Sequence, residues 1–217
     1  SARDLRDIDG NGTSDVLASN ALGVTGVSIY LRDEPPGETT VIDVPTEIRP
    51  RNLLFGDLNA DGHVDVIVQT LTDIIDYRFD SFINNGNGTF TPRGSIEYVG
   101  ADVSFAVGNF DGIPGEDVVI EDSDVFDPHL VVFGFSPQGN FVQRGRSGRN
   151  NSPDTLRVAD LNQYWFDDIA GFDGSDFFVL YSDGTGDLTE TLRFEPDRRS
   201  SIPDTMDIEI VDLDNDG

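Results

Sequence analysis

The 217-residue sequence predicts an all-β fold, a β-propeller of four-stranded antiparallel blades. Three observations carry this expectation. The chain repeats itself at about 51 residues, each unit holds four short segments of alternating polarity, and turn-forming residues recur at matched places.

The repeat is clearest in five acidic segments. Asp-Ile-Asp-Gly-Asn-Gly-Thr-Ser-Asp-Val begins at Asp7, Asp-Leu-Asn-Ala-Asp-Gly-His-Val-Asp-Val at Asp57, and Asn-Phe-Asp-Gly-Ile-Pro-Gly-Glu-Asp-Val at Asn109. Asp-Leu-Asn-Gln-Tyr-Trp-Phe-Asp-Asp-Ile begins at Asp160, and Asp-Leu-Asp-Asn-Asp-Gly at Asp212. The starts are 50, 52, 51 and 52 residues apart, so the chain holds about four blades and the start of a fifth. Approximate repeat bounds are 1–50, 51–102, 103–153, 154–205 and a partial 206–217, together one propeller segment.

Within a unit, apolar and polar residues alternate in short runs bounded by Gly, Asn, Asp or Pro, which is the pattern of strands. In the second unit the expected strands are 53–56, 66–69, 77–83 and 90–98. The third and fourth are joined by Asn84-Asn85-Gly86-Asn87-Gly88, residues that tolerate positive φ and suit a hairpin. Ser136-Pro137-Gln138-Gly139 and Ser182-Asp183-Gly184-Thr185-Gly186 fill the same slot later. No helical period of useful length competes.

The acidic segments carry the chemistry. In the first two units the spacing D-x-D/N-x-D/N-G-x-x-D sets side-chain oxygens at positions one, three, five and nine around a glycine at position six. A hard cation such as Ca2+ takes six to eight oxygens, short Asp and Asn side chains suit a tight loop, and the glycine permits the turn that aims a backbone carbonyl inward at position seven. The expected donors are Asp7, Asp9, Asn11, Asp15 and the Thr13 carbonyl, then Asp57, Asn59, Asp61, Asp65 and the His63 carbonyl. An EF-hand would need flanking helices and Glu at position twelve, where Ala18 and Val68 stand. Units three and four lose the fifth donor to Ile113 and Tyr164, although Asp111, Asp117, Asp160, Asn162 and Asp168 remain, so weak or absent metal is expected there. The fifth copy offers Asp212, Asp214 and Asp216 and stops before a ninth position. Asp-Gly and Asn-Gly clusters are ordinarily plain turns. It is their recurrence at matched positions, with an Asp at position nine that a turn does not require, that points to calcium.

Asp-Leu-Asn-Ala-Asp-Gly-His-Val-Asp-Val-Ile-Val, preceded by Phe55-Gly56 and followed by Asn-Gly-Asn-Gly-Thr-Phe at residues 85–90, resembles the FG-GAP/VCBS repeat of the integrin α-subunit propeller and of many secreted microbial proteins. The resemblance runs over all four units and is specific in the first two. It implies a propeller of about seven blades, with calcium in the loop joining strands one and two of a blade, and it implies little about the ligand. Residues 2–6 and 207–211 both read as the innermost strand of a unit and would compete for one slot in a four-bladed ring. The segment is therefore expected to be part of a larger propeller, or completed by a second chain.

Composition narrows the function. Acidic residues number 41 against 14 basic ones, a net charge of -27, which disfavours nucleic acid as a partner. All 14 basic residues are Arg, 32 of the acids are Asp, and there is no Cys, so disulfides and thiolate zinc sites are excluded. No apolar run approaches the ~18 residues of a membrane span. With 37% hydrophobic residues, including 15 Phe, the chain can bury a core despite its acidity.

Two further groups are candidates for ligand binding. Arg144 and Arg146, with Arg149, form the one local basic cluster and could hold an anionic glycan, although pairing with surplus Asp is the commoner use. Trp165 and Tyr164, with Phe166, occupy the unit-four loop that lost its donors. Aromatics there can stack on a sugar face, and packing between blades is the commoner alternative. His63 and His129 have no Ser or Cys context for catalysis. Sequons at Asn11, Asn87 and Asn150 are of a kind common by chance, and Asn11 is already a proposed donor.

These features predict a calcium-binding, extracellular or cell-surface module that recognises a glycan or protein ligand without catalysis. The alternatives are the propeller of a secreted polysaccharide lyase, phosphatase or esterase, and a structural component of a surface assembly or filament. No nucleophile elbow, zinc motif or phosphate loop favours the enzyme.

Overall fold

The computed structural model describes residues 7–9, 11–13, 16–19, 27–32, 39–44, 50–72, 76–87, 89–99, 104–122, 128–148, 153–195 and 208–211. Among them there are fifteen strands and no helix. The first sheet holds β1 (Val16–Ser19), β2 (Val27–Arg32) and β3 (Thr39–Val44) in sequence order. The second holds β4 (Pro50–Gly56), β5 (Asp65–Leu71), β6 (Asp76–Asn84) and β7 (Phe90–Val99). The third holds β8 (Phe105–Gly108), β9 (Asp117–Asp122), β10 (His129–Phe135) and β11 (Phe141–Arg146). The fourth holds β12 (Thr155–Ala159), β13 (Asp168–Phe172), β14 (Phe177–Ser182) and β15 (Leu188–Phe194). Each sheet is an antiparallel meander, the blade of a β-propeller. The four strands expected in the second unit are all present, each reaching one to three residues beyond one or both expected ends.

Burial explains the strand order. The second strand of a blade has an apolar stretch shielded on both faces, as in Val66, Ile67 and Val68 of β5 and Val118, Val119 and Ile120 of β9. The third strand of the fourth sheet alternates, so that in β14 Phe178, Leu180 and Ser182 are buried and the residues between them half-buried. Fourth strands hold at most one buried residue each among those described, and β7 accordingly accepts Pro92, which lacks a ladder donor, at the edge of its sheet. Opposite it, a bulge between Asp80 and Phe82 leaves Ser81 out of register, and the Gly94 amide donates to Ser81 Oγ at 3.0 Å instead.

The chain divides into two compact units, Ser1–Val99 with Phe135–Phe141, and Gly100–Gly134 with Val142–Gly217. In the first, Ile8 and Val27 of the first repeat pack against Phe55, Val66, Val68 and Phe82 of the second. In the second, Phe110, Val119, Leu130 and Val132 pack against Leu156, Ile169, Phe178 and Leu180. Each such side chain contributes about 1.5–3 kcal/mol by leaving water. A single blade cannot bury its apolar face alone, so the repeats fold by facing one another.

Two sequence expectations differ from or fall outside this picture. The expected innermost strand at 2–6 lies outside the described residues. At 207–211 the described part, 208–211, is not a strand and belongs to none of the four sheets. A strand is defined by its ladder of partners, which alternating polarity alone does not supply.

Candidate functional site

The acidic loops sit where strand one of a blade turns into strand two. Gly56 pairs with Asp65, Gly108 with Asp117 and Ala159 with Asp168, so the ninth loop residue opens the second strand opposite the last residue of the first. This pairing closes the loop.

In the second repeat Asp65 is fully buried, and its two oxygens accept the Leu58 amide at 2.9 Å and the Asn84 amide at 2.8 Å. Asp57 reaches across the loop, its Oδ1 accepting the Asp61 amide at 3.0 Å and its Oδ2 the Gly62 amide at 2.9 Å. Asn59 Oδ1 accepts the Asp61 amide and Asp61 Oδ1 the His63 amide. Gly62 has φ +86°, a conformation that suits glycine because no Cβ is present to clash. The first repeat reproduces this pattern. Asp7 Oδ1 accepts the Asn11 amide at 3.0 Å and Oδ2 the Gly12 amide at 2.7 Å, Asp9 Oδ1 accepts Asn11, and Asn11 Oδ1 accepts Thr13. Gly12 has φ +85°. Asp15, and Asp212, Asp214 and Asp216 of the partial fifth copy, lie outside the described residues. Among the described residues no three His, Cys, Asp or Glu side chains gather as a metal-holding group, and the Asp57 carboxylate accepts the loop's own amides.

The donor chemistry of these two loops nevertheless fits a hard cation. The second combines three carboxylates, one amide oxygen and one available backbone carbonyl within nine residues. Burial pushes the Asp65 carboxyl up to about 7 against the pull of its two amides, and the charges of Asp61 and Asp57 push the same way. A cation among these groups would reverse that balance. The His63 side chain packs on the β6–β7 turn, where a Cβ on Gly86 would fall 2.4 Å from Nε2.

One anchoring residue per unit was not anticipated from the sequence. Asn84 Nδ2 donates to the Ile8 carbonyl at 2.8 Å and the Val64 carbonyl at 3.1 Å, tying the first repeat's loop to the second's. In the second unit Ser182 Oγ donates to the Phe110 carbonyl at 2.6 Å in the same role. Their shared place at the end of strand three was the available signal.

The third loop is built differently. Pro114 stands at position six, where its ring fixes φ near −65°, and the left-handed turn moves to Gly115 at φ +114°. Asn109 Oδ1 accepts the Gly112 amide, a shorter reach than the Asp57 bridge. Asp117 Oδ2 accepts both the Phe110 and Asp111 amides. Asp111 Oδ2 lies 2.9 Å from Arg144 Nε. Burial raises Asp117 to about 7; Asp111 adds to the rise, while the two amides and Arg144 oppose it. The folded pKa thus exceeds the unfolded 3.8, so Asp117's contribution to stability is full below about pH 4 and is lost as pH rises through about 7. Melting followed from about pH 4 to about pH 8 should fall less steeply for Asp117→Asn than for the wild type. Parallel falls would assign the dependence to other groups.

The fourth loop keeps the backbone of the first two but has Tyr164 in place of their position-five donor. Asp160 Oδ1 accepts the Tyr164 amide at 3.2 Å and Oδ2 the Trp165 amide at 3.0 Å, the same bridge that Asp57 makes. Asp168 accepts Leu161 and Ser182 as Asp65 accepts Leu58 and Asn84, and burial raises it likewise. Gln163 at φ +62° matches Ala60 at +59°. Trp165 occupies the glycine position at φ +76°. It is 88% exposed and Tyr164 71%, whereas Phe166 packs on Gly112 and Gly184. Only the third member of the aromatic triplet thus makes the expected packing between blades. Arg146 offers its backbone amide to Asp187 Oδ1 at 3.2 Å.

Fold and loops together define a β-propeller repeat protein whose blades carry acidic strand-one to strand-two loops. Residues 7–68 match the FG-GAP-like repeat. No curated protein matches the chain. Among solved structures it is similar to a β-propeller lectin of Agrocybe aegerita, described as recognising non-reducing terminal N-acetylglucosamine. The TM-score is 0.61 at 19% identity, over 90% of this chain and 52% of the lectin, so the chain spans about half the lectin's length. The Photorhabdus luminescens Tc holotoxin pore also matches, over 90% of this chain and 12% of its own, at 11% identity and TM-score 0.36. No helix of the described residues is long and apolar enough to cross a membrane.

Proposed function

We propose that the chain is a calcium-stabilised, non-catalytic propeller segment of an extracellular or cell-surface protein, and that it binds glycans on the Tyr164–Trp165 loop. The observation that carries the reading is Trp165, a bulky residue in a left-handed conformation that suits glycine, with its ring in solvent. Backbone strain of this kind persists where the surroundings over-determine it, and it concentrates at ligand sites. A loop presenting an exposed indole and an exposed phenol at adjacent positions supplies apolar faces with polar edges, which suit the face and hydroxyl rim of a sugar ring. The likeness to a lectin supports the same class of ligand.

In the first two repeats Asp7, Asp9, Asn11, Asp15 and Thr13, and Asp57, Asn59, Asp61, Asp65 and His63, would hold calcium. The ion would neutralise clustered carboxylates and fix the loops, making binding energy folding energy.

A glycan array probed with the purified chain in calcium tests the ligand, with Trp165→Ala expected to lose the signal. Hydrolysis or elimination of a polysaccharide by the chain would overturn the non-catalytic reading, and equal array signals for wild type and variant would overturn the site. Chelation by EDTA at low ionic strength is expected to lower Tm by several degrees. An unchanged Tm would remove calcium from the account.

A further inference from the structure

We propose that Arg144 is the resident cation of the third repeat's loop, its guanidinium doing there what a metal ion does in the first two. Three observations converge. The loop cannot take the backbone of its counterparts, because Pro114 stands where Gly12 and Gly62 adopt positive φ, and it has lost the fifth donor to Ile113. The carboxylates that remain still face a positive charge, since Arg144 Nε lies 2.9 Å from Asp111 Oδ2, whose side chain is 2% exposed. The fold also makes room for that charge. A Cβ on Gly134 of β10 would fall 2.7 Å from Arg144 Nε, 2.8 Å from Asp117 Oδ1 and 3.0 Å from Asp111 Oδ2. Ile83 and Tyr181 hold the equivalent place in the second and fourth repeats, so neither of those blades has this opening.

The arginine is itself held. Its β11 neighbour Gly145 lies so near the β14–β15 turn that a Cβ there would meet Gly186 backbone atoms at 2.4 Å, and a Cβ on Gly186 would fall 2.7 Å from that of Arg144. A guanidinium tethered by its own strand needs no bulk concentration to stay in place. The third loop should therefore stay ordered under conditions that strip metal from the others. The comparison with the first two repeats rests on their binding calcium; the role of Arg144 does not.

Amide hydrogen exchange on the full chain, with calcium and with EDTA, separates the two. Chelation should speed exchange at Gly62 and His63 and leave Phe110, Asp111, Gly112 and Ile113 unchanged. Arg144→Met should speed exchange at those four amides on the order of a hundredfold, in calcium and chelator alike, the scale expected when one partner of a buried ion pair is removed. Loop 57–65 serves in the same experiment as the check that the variant is folded. If Arg144→Met fails that check, Arg144→Met with Asp111→Asn, which removes both charges, should restore part of the lost Tm. Faster exchange of the third loop on chelation in the wild type would overturn the proposal, as would an Arg144→Met variant with wild-type exchange there. Exchange that ignores EDTA everywhere while still responding to Arg144→Met would remove calcium and leave Arg144 standing.

Discussion

Asp65→Ala is expected to lower stability by about 2–6 kcal/mol even in EDTA, and by more in calcium, whereas Asp61→Ala should be costly only in calcium. The two residues belong to one candidate site but differ in what else they hold. Asp65 is fully buried and satisfies the Leu58 and Asn84 amides. Truncation leaves two donors without an acceptor at about 1–3 kcal/mol each, whatever the metal content. Asp61 is exposed, and its bonds to the His63 amide and from Asn59 Nδ2 are ones that water can replace. Its remaining role is as a charged oxygen donor, which matters when calcium is bound. Urea unfolding of both variants in calcium and in EDTA reads the difference. An equal loss for Asp61→Ala in the two buffers would make the loop a simple turn.

The structure shows one loop scaffold with three outcomes. A buried Asp at position nine and an acidic or amide residue at position one recur in the second, third and fourth repeats, and they hold the same backbone amides or close substitutes. What varies is positions five and six. Asp61-Gly62 keeps a donor set for a cation, Ile113-Pro114 abandons it beside an arginine, and Tyr164-Trp165 replaces it with exposed rings. Losing the position-five donor therefore does not free the loop to unfold. The loop is held from below by its ninth residue, and its tip can change.

Much of this was legible in the sequence. The 51-residue period and the Asn-Gly and Asp-Gly turns locate the blades, because strand-turn chemistry is local and repeats four times. The acidic loops are legible for the same reason. The role of Arg144 was not, since it depends on Asp111 lying 33 positions away and on the missing side chain of Gly134, which only the register of β9, β10 and β11 brings together. The placement of Trp165 was half legible. Aligning Asp160 with Asp57 puts it on the glycine position, but whether the backbone would keep its positive φ or relax was a question of tertiary restraint. Asp160 and Asp168 supply that restraint through the Trp165, Tyr164, Leu161 and Ser182 amides.

Trp165→Gly should therefore change stability and binding in opposite directions. A left-handed conformation costs a non-glycine residue about 1–2 kcal/mol, and glycine gives back roughly 0.5–1 kcal/mol through its freer unfolded chain, so the variant should gain up to about 1.5 kcal/mol. Removing an 88%-exposed indole sacrifices little burial to set against this. Binding to a glycan identified on the array should weaken by about 2 kcal/mol or more, roughly thirtyfold, as when an aromatic anchor is truncated. Trp165→Ala serves as the control, because it loses the ring and keeps the strain; it should bind as poorly as the glycine variant with a Tm near that of the wild type. Calorimetric melting and titration of the three proteins read both quantities. A fall in Tm for Trp165→Gly would mean that the indole packs to hold the loop, and unchanged affinity would mean that the strain at position 165 serves something other than glycan recognition.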